Sequence, residues 1–254
     1  MLRYGDHADQ VADLRLPTAA DAPAPLIVVI HGGFWRVEYD RAHTGPLAAD
    51  LAARGWAVAQ LEYRRTGQPG GGWPGTFADV AAGLALVPGL AAEAGPVAAG
   101  PPLLVGHSAG GHLALWAAGR ARVRGVLALA PVSDLASAHR LDLDQDAVAA
   151  LLGGGPDEVP HRYDYAEPAP APEVAATVVH GTEDLQVPVA MSREFVGRRR
   201  EVAGREPEGG VELVELPGVE HFALIDPRSA AWPVVVRALE RLETVASRTP
   251  GLTH

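Results

Sequence analysis

No cysteine and no lysine occur among the 254 residues, and each absence removes a class of chemistry. Without cysteine there are no disulfides, thiol nucleophiles, thiolate metal ligands or redox pairs. Without lysine all 21 basic residues are arginine, which excludes Schiff-base chemistry, a pyridoxal phosphate anchor and a P-loop lysine. Positive charge is scarce as well: the formal net charge is −10, the reverse of the basic footprint that nucleic-acid binding requires. The one basic cluster, Arg198-Arg199-Arg200, falls in an acid-flanked amphipathic pattern and reads as a solvated helix face. Long apolar segments are missing too, since the run Leu26 to Ile30 is far short of the roughly 20 residues of a membrane span. Met1 to Leu16 is polar and alternating, with no apolar stretch before a small-residue cleavage site, so the expectation is a soluble, cytoplasmic protein.

What is present is enough apolar material for one sizeable core, with 48% hydrophobic against 20% charged residues, and the expectation is a single domain over residues 1–254. Strand and helix signals alternate along the chain. An edge strand is expected at Gln10 to Leu16, then buried strands at Leu26 to Ile30 and Ala57 to Leu61, and further strands at Val126 to Ala130, Thr177 to His180 and Val211 to Leu216. Between them helices are expected at Gly45 to Arg54, from near Thr76 with Asp79 in the first turn, at Val189 to Arg200 and at Ala230 to Val245. This rhythm implies an α/β fold, a mostly parallel sheet covered on both faces. It breaks between Asp134 and Pro172, where one helical patch, Asp144 to Leu152, is followed by glycines, prolines and two tyrosines. Residues 134–172 are therefore expected to form a small cap inserted in the same domain.

The chemistry concentrates at Gly106-His107-Ser108-Ala109-Gly110. A short apolar run, Leu103 to Val105, drives into Gly-x-Ser-x-Gly and then into a helical pattern over Ala109 to Arg120, which is the arrangement of a nucleophile elbow. Serine must occupy a sharp, strained turn, and small neighbours let strand and helix pass close together. Its partners follow in order: Asp184 comes just after the Thr177 to His180 strand, in His180-Gly181-Thr182-Glu183-Asp184, and His221 comes after the last strand. The order Ser108, Asp184, His221 is that of nucleophile, acid and base in the α/β-hydrolase template. Asp134 is the rival acid, because it follows the preceding strand, but it opens a helical pattern. The amides of Gly33, Phe34 and Ala109 are the candidate oxyanion donors.

The stretch His31-Gly32-Gly33-Phe34-Trp35 resembles the HGGxW motif of kynurenine formamidase (arylformamidase)-like α/β-hydrolases and related esterases. The likeness extends to Tyr4-Gly5-Asp6-His7, Glu62-Tyr63-Arg64-Arg65, Gly71-Gly72-Trp73-Pro74 and Gly106-His107-Ser108-Ala109-Gly110-Gly111-His112. Phe34 stands where lipase-type relatives carry a third glycine. The resemblance implies hydrolysis of a carboxylic ester or an N-formyl or aryl amide through an acyl-serine, without metal or organic cofactor. A substrate pocket lined by Trp35, Tyr163, Tyr165 and Phe222 is expected. His107, His112, His31, His7 and His180 read as structural histidines, and their spacing is not that of a metal site. The glycines at 70–72 lack a following Lys-Ser/Thr and read as a turn. Two other functions are compatible with the pattern: an acyltransferase or lyase on the same fold, and a catalytically silent binding protein. The expected partners are a small-molecule substrate and a second copy of the chain in a homodimer, with neither nucleic acid nor membrane.

Overall fold

The computed structural model describes residues 1–18, 22–169, 174–203 and 210–248. One eight-stranded sheet carries β1 (Leu2–Arg3), β2 (Val11–Arg15), β3 (Leu26–Ile30), β4 (Ala57–Leu61), β5 (Leu103–His107), β6 (Gly125–Leu129), β7 (Ala175–Gly181) and β8 (Val211–Leu216), in the spatial order β1-β2-β4-β3-β5-β6-β7-β8. From β4 to β8 every neighbouring pair is parallel, with Ile27 opposite Leu103 and Leu103 opposite Gly125, while β1 and β2 are antiparallel.

The central strands LIVVI, AVAQL, LLVGH and GVLAL are buried at every position, as continuous apolar runs require when helices cover both faces. Period-two alternation then divides their side chains. Leu26, Val28 and Ile30 join a core with α2 (Gly75–Ala94), α3 (Ala109–Ala117) and α7 (Val189–Ala203), whereas Ile27 and Val29 join a second core with α1 (Gly45–Ala53) and α8 (Trp232–Arg248). In α8 the buried residues Trp232, Val235, Val236, Leu239 and Leu242 recur at helical spacing. Each large apolar side chain buried this way stabilises the packing by roughly 1.5–3 kcal/mol. By length and composition alone α2 could cross a membrane, but half of its apolar window is packed inside the protein.

Several expectations are corrected. β2 is not an edge strand, because the two-residue β1 pairs along its outer side. α2 begins at Gly75, close to the expected start near Thr76, but Asp79 lies beyond its first turn and turns inward to bind Arg64 and Gln10. α3 ends at Ala117 rather than Arg120.

Between β6 and β7 lie α4 (Leu135–Arg140), α5 (Ala147–Leu152) and α6 (Pro160–Ala166). The patch expected to be helical from Asp144 starts only at Ala147, since Asp144, Gln145 and Asp146 have left-handed φ values of 49°, 55° and 53°. This segment is tied to the sheet's helices by His112 and Trp116, whose ring N–H groups donate to the Ala166 and Tyr165 carbonyls at 2.8 and 2.9 Å. Residues 170–172 of the expected cap lie outside the described residues. Arg198 is more than a solvated face: it reaches Asp134 at 3.1 Å, at the start of α4.

The chain moves outward to β4 after β3 and in the opposite direction after β5. The loops leaving the carboxyl ends of β3 and β5 therefore open a crevice, where open α/β sheets form their sites.

Candidate active site

Ser108 links β5 to α3 with φ 56° and ψ −120°, a left-handed conformation that a non-glycine residue holds only when its surroundings enforce it. They do so through three bonds. The Ser108 amide donates to the Leu129 carbonyl at 2.8 Å, and its own carbonyl accepts from the His112 and Val132 amides at 3.1 and 3.3 Å. The flanking glycines are required by contact: a Cβ on Gly106 would stand 2.2 Å from the Gly110 oxygen, and one on Gly110 would stand 2.1 Å from the Ile30 oxygen.

Across the crevice, Nδ1–H of His221 donates to Oδ2 of Asp184 at 2.5 Å. Asp184 Oδ1 accepts from the Gln186 and Val187 amides, each at 2.8 Å, and Nε2–H of His180 lies 3.2 Å from Oδ2. Burial alone would raise the Asp184 pKa, but hydrogen bonds from His180 and His221 outweigh it and hold the carboxyl well below the usual carboxylate range. The rival Asp134 is elsewhere: it caps α4 through the Ser137 amide at 2.7 Å and pairs with Arg198. Ser108 and His221 share one cavity wall without a hydrogen bond between their side chains.

The loop after β3 is also left-handed, with φ of 97° at Gly33, 47° at Phe34 and 56° at Trp35. Among the described residues the Gly33, Phe34 and Ala109 amides have no protein acceptor, and Gly33 and Phe34 line the cavity beside Ser108. Ala109 is buried at the first turn of α3. His31 braces this loop: both ring nitrogens face acceptors, the Gly32 carbonyl and Glu62 Oε1, at 2.8 Å each. Its ring stacks on Tyr63 at 4.4 Å, and the Tyr63 hydroxyl donates to the His31 carbonyl at 2.9 Å. Burial would favour a neutral Glu62, yet bonds from His31 and Arg41 with the charge of Arg65 hold it at about 2.

The cavity measures about 720 Å³, within the range of small-molecule sites. Phe222, 56% exposed, is part of its wall as expected. Trp35, Tyr163 and Tyr165 are not. Trp35 is fully buried with its ring edge-on to His112 at 5.2 Å, and Phe34 packs edge-on against it at 6.5 Å while also lining the cavity. Tyr163 is buried in α6, and Tyr165 packs on Trp73 and Trp116. The wall contains instead His43, Asp144, Gln186 and Asp226, which sequence reasoning missed. Gln186 could have been found from its place two residues after Asp184, whereas Asp144 arrives from a distant segment.

His112 is structural in its contacts, whereas His107 is part of the cavity wall beside Ser108 and His221. His112 reaches the Ala166 carbonyl, and burial lowers its pKa to about 4. His107 is likewise pushed well below the ordinary imidazole value, first by burial and then by His221.

The family model described as BD-FAE matches residues 12–198. "Probable carboxylic ester hydrolase LipM" of Mycobacterium tuberculosis is 28% identical over 254 aligned residues, covering 90% of this chain and 56% of the relative. "Esterase LipC" of the same organism is 28% identical, covering 88% and 59%. The chain thus spans little more than half the length of these curated relatives. Among solved structures, "Truncated form of carbohydrate esterase from gut microbiota" superposes with a TM-score of 0.79 at 19% identity, covering 97% of this chain and 95% of that one, a likeness of fold.

Proposed function

From the premise that this chain belongs to the BD-FAE family of α/β-hydrolases, we propose that it is a serine hydrolase of carboxylic esters. The observation that carries this reading is the 2.5 Å bond from His221 to an ionised Asp184, beside a strained Ser108 in the same cavity. In the proposed cycle Ser108 Oγ attacks the ester carbonyl while His221 Nε2 takes the hydroxyl proton. Asp184 fixes the imidazole tautomer and stabilises the imidazolium. The Gly33, Phe34 and Ala109 amides receive the oxyanion, a contribution typically of about 3–4 kcal/mol per donor. Collapse breaks the bond to the alcohol, which leaves with the proton from His221. Water then attacks the acyl-serine by the same path and releases the acid.

The names of LipM and LipC support ester hydrolysis, and the resemblance of His31 to Trp35 to the HGGxW motif extends the reading to N-formyl and aryl amides. In this reading the described part of the expected cap, residues 134–169, covers the site, with Asp144 as its contribution to the cavity wall.

The test is turnover of p-nitrophenyl acetate by the purified protein. Activity should be abolished by a covalent serine inhibitor and should fall at least about a thousandfold in Ser108→Ala. Near-wild-type turnover by a folded Ser108→Ala protein would refute the proposal.

A further inference from the structure

Arg36 joins two strained segments that are far apart in the chain. It follows Trp35 in the loop after β3, and its guanidinium crosses to the turn before α5. Nε donates to Asp144 Oδ2 at 2.5 Å, and Nη2 donates to the carbonyls of Asp144 at 2.5 Å and Gln145 at 3.3 Å. One planar fork thus holds a carboxylate and two main-chain oxygens, which a lysine could not match.

The turn it grips needs holding. Asp142, Asp144, Gln145 and Asp146 have φ values of 52°, 49°, 55° and 53°, and such conformations persist in non-glycine residues only where surrounding contacts over-determine them. Asp146 is fixed from within its own segment, accepting from the Ala149 amide at 3.3 Å and from His139 at 2.8 Å. Among the described residues, the hydrogen bonds of Asp144 and Gln145 all go to Arg36. Asp144 is also the one described residue between 134 and 169 that lines the Ser108 cavity. Arg36 itself is not part of that wall.

We propose that Arg36 is a positioning residue that sets the size limit of the substrate by holding Asp144 in the cavity wall against the oxyanion loop. This rests on the ester-hydrolase reading. Releasing Asp144 lets the turn swing away, which removes one side of the cavity and admits longer groups while Ser108, Asp184 and His221 keep their own contacts. The effect therefore appears as altered selectivity between substrates, not as a uniform loss of rate.

The experiment compares wild type, Arg36→Gln, Arg36→Lys and Asp144→Asn on two series, p-nitrophenyl esters from acetyl to octanoyl and acetate esters of lengthening alcohols. In Arg36→Gln the preference in kcat/KM for the shortest over the longest member should fall at least about fivefold in one series. Asp144→Asn should move it in the same direction, and Arg36→Lys, which restores the charge but not the carbonyl bonds, should lie between. A parallel loss of kcat/KM on all members, or unchanged ratios in both series, would overturn the proposal. Amide hydrogen exchange of Asp142, Leu143 and Ala147, whose N–H groups donate to the His139, Ala138 and Leu143 carbonyls within this turn, needs no substrate and should be faster in Arg36→Gln. Unchanged exchange overturns the inference even if the protein hydrolyses esters. Faster exchange in a protein that turns over no ester supports the clamp and refutes only the hydrolase reading.

Discussion

The imidazole of His107 lies 4.4 Å from that of His221, and its Nε2–H donates to the His221 carbonyl at 3.2 Å. The residue before the proposed nucleophile thereby supports the proposed base by ring contact and by main-chain anchorage. Burial, followed by the influence of His221, keeps His107 in its neutral form, so it adds no charge against the imidazolium that forms during the reaction. In His107→Ala, kcat is expected to fall roughly ten- to a hundredfold with little change in KM, because a misplaced base costs on that scale. His107→Gln places an amide donor near the same point and should recover most of the rate. If the two variants are equally impaired, the hydrogen bond to His221 has no positioning role.

The two aspartates that follow neighbouring strands should separate cleanly in steady-state kinetics. Asp184→Asn is expected to lower kcat by up to about ten-thousandfold through the wrong imidazole tautomer. Asp134→Asn removes only a carboxylate that caps α4 and pairs with Arg198, and should change kcat by less than about tenfold. The opposite ranking would move the acid to the preceding strand.

Gly110→Ala should be among the most damaging single-methyl additions in this chain. The new Cβ would stand 2.1 Å from the Ile30 carbonyl oxygen and 2.4 Å from that of His31, and both are backbone atoms that cannot rotate aside. The expected cost is at least about 3 kcal/mol, through overpacking that lifts α3 away from β3. Chemical denaturation would measure it, and a loss under about 1 kcal/mol would show that the elbow relaxes more easily than its contacts imply.

Glu167, between α6 and β7, predicts a pH-dependent stability. Burial first, and then the charge of Asp134, push its pKa up to about 7, against the Leu135 amide and Arg198. An unfolded glutamate titrates near ~4.3, so between that pH and about 7 the folded chain holds a proton that the unfolded chain has lost. Stability from this group is therefore present at low pH and declines as pH rises through that window. In Glu167→Gln the Tm difference between pH 5 and pH 8 should shrink relative to wild type, and an unchanged difference would assign the pH dependence to other groups.

Elements whose pattern is local were legible in the order of the amino acids. The bounds of β3 and β4 follow from short, largely apolar runs between turn residues, and the order of Ser108, Asp184 and His221 is legible because each comes within a few residues of the end of its own strand. The Gly-x-Ser-x-Gly spacing of the elbow is likewise local, and Gly106 is small because of the nearby Gly110 backbone, but Gly110 is small because of the distant Ile30 and His31 carbonyls. Tertiary structure alone decided what depends on meeting a distant segment. β1 is two residues long and exists only by pairing with β2, so no periodicity could reveal it. Asp79 has the look of a helix-start acid, but Arg64 and Gln10 draw it inward. Trp35 and Phe34 are adjacent aromatics with the same composition signal, yet packing against His112 buries Trp35 fully while Phe34 reaches the cavity wall. The wall that Asp144 supplies depends on Arg36, 108 residues earlier, and a contact at that separation leaves no periodic trace in either segment.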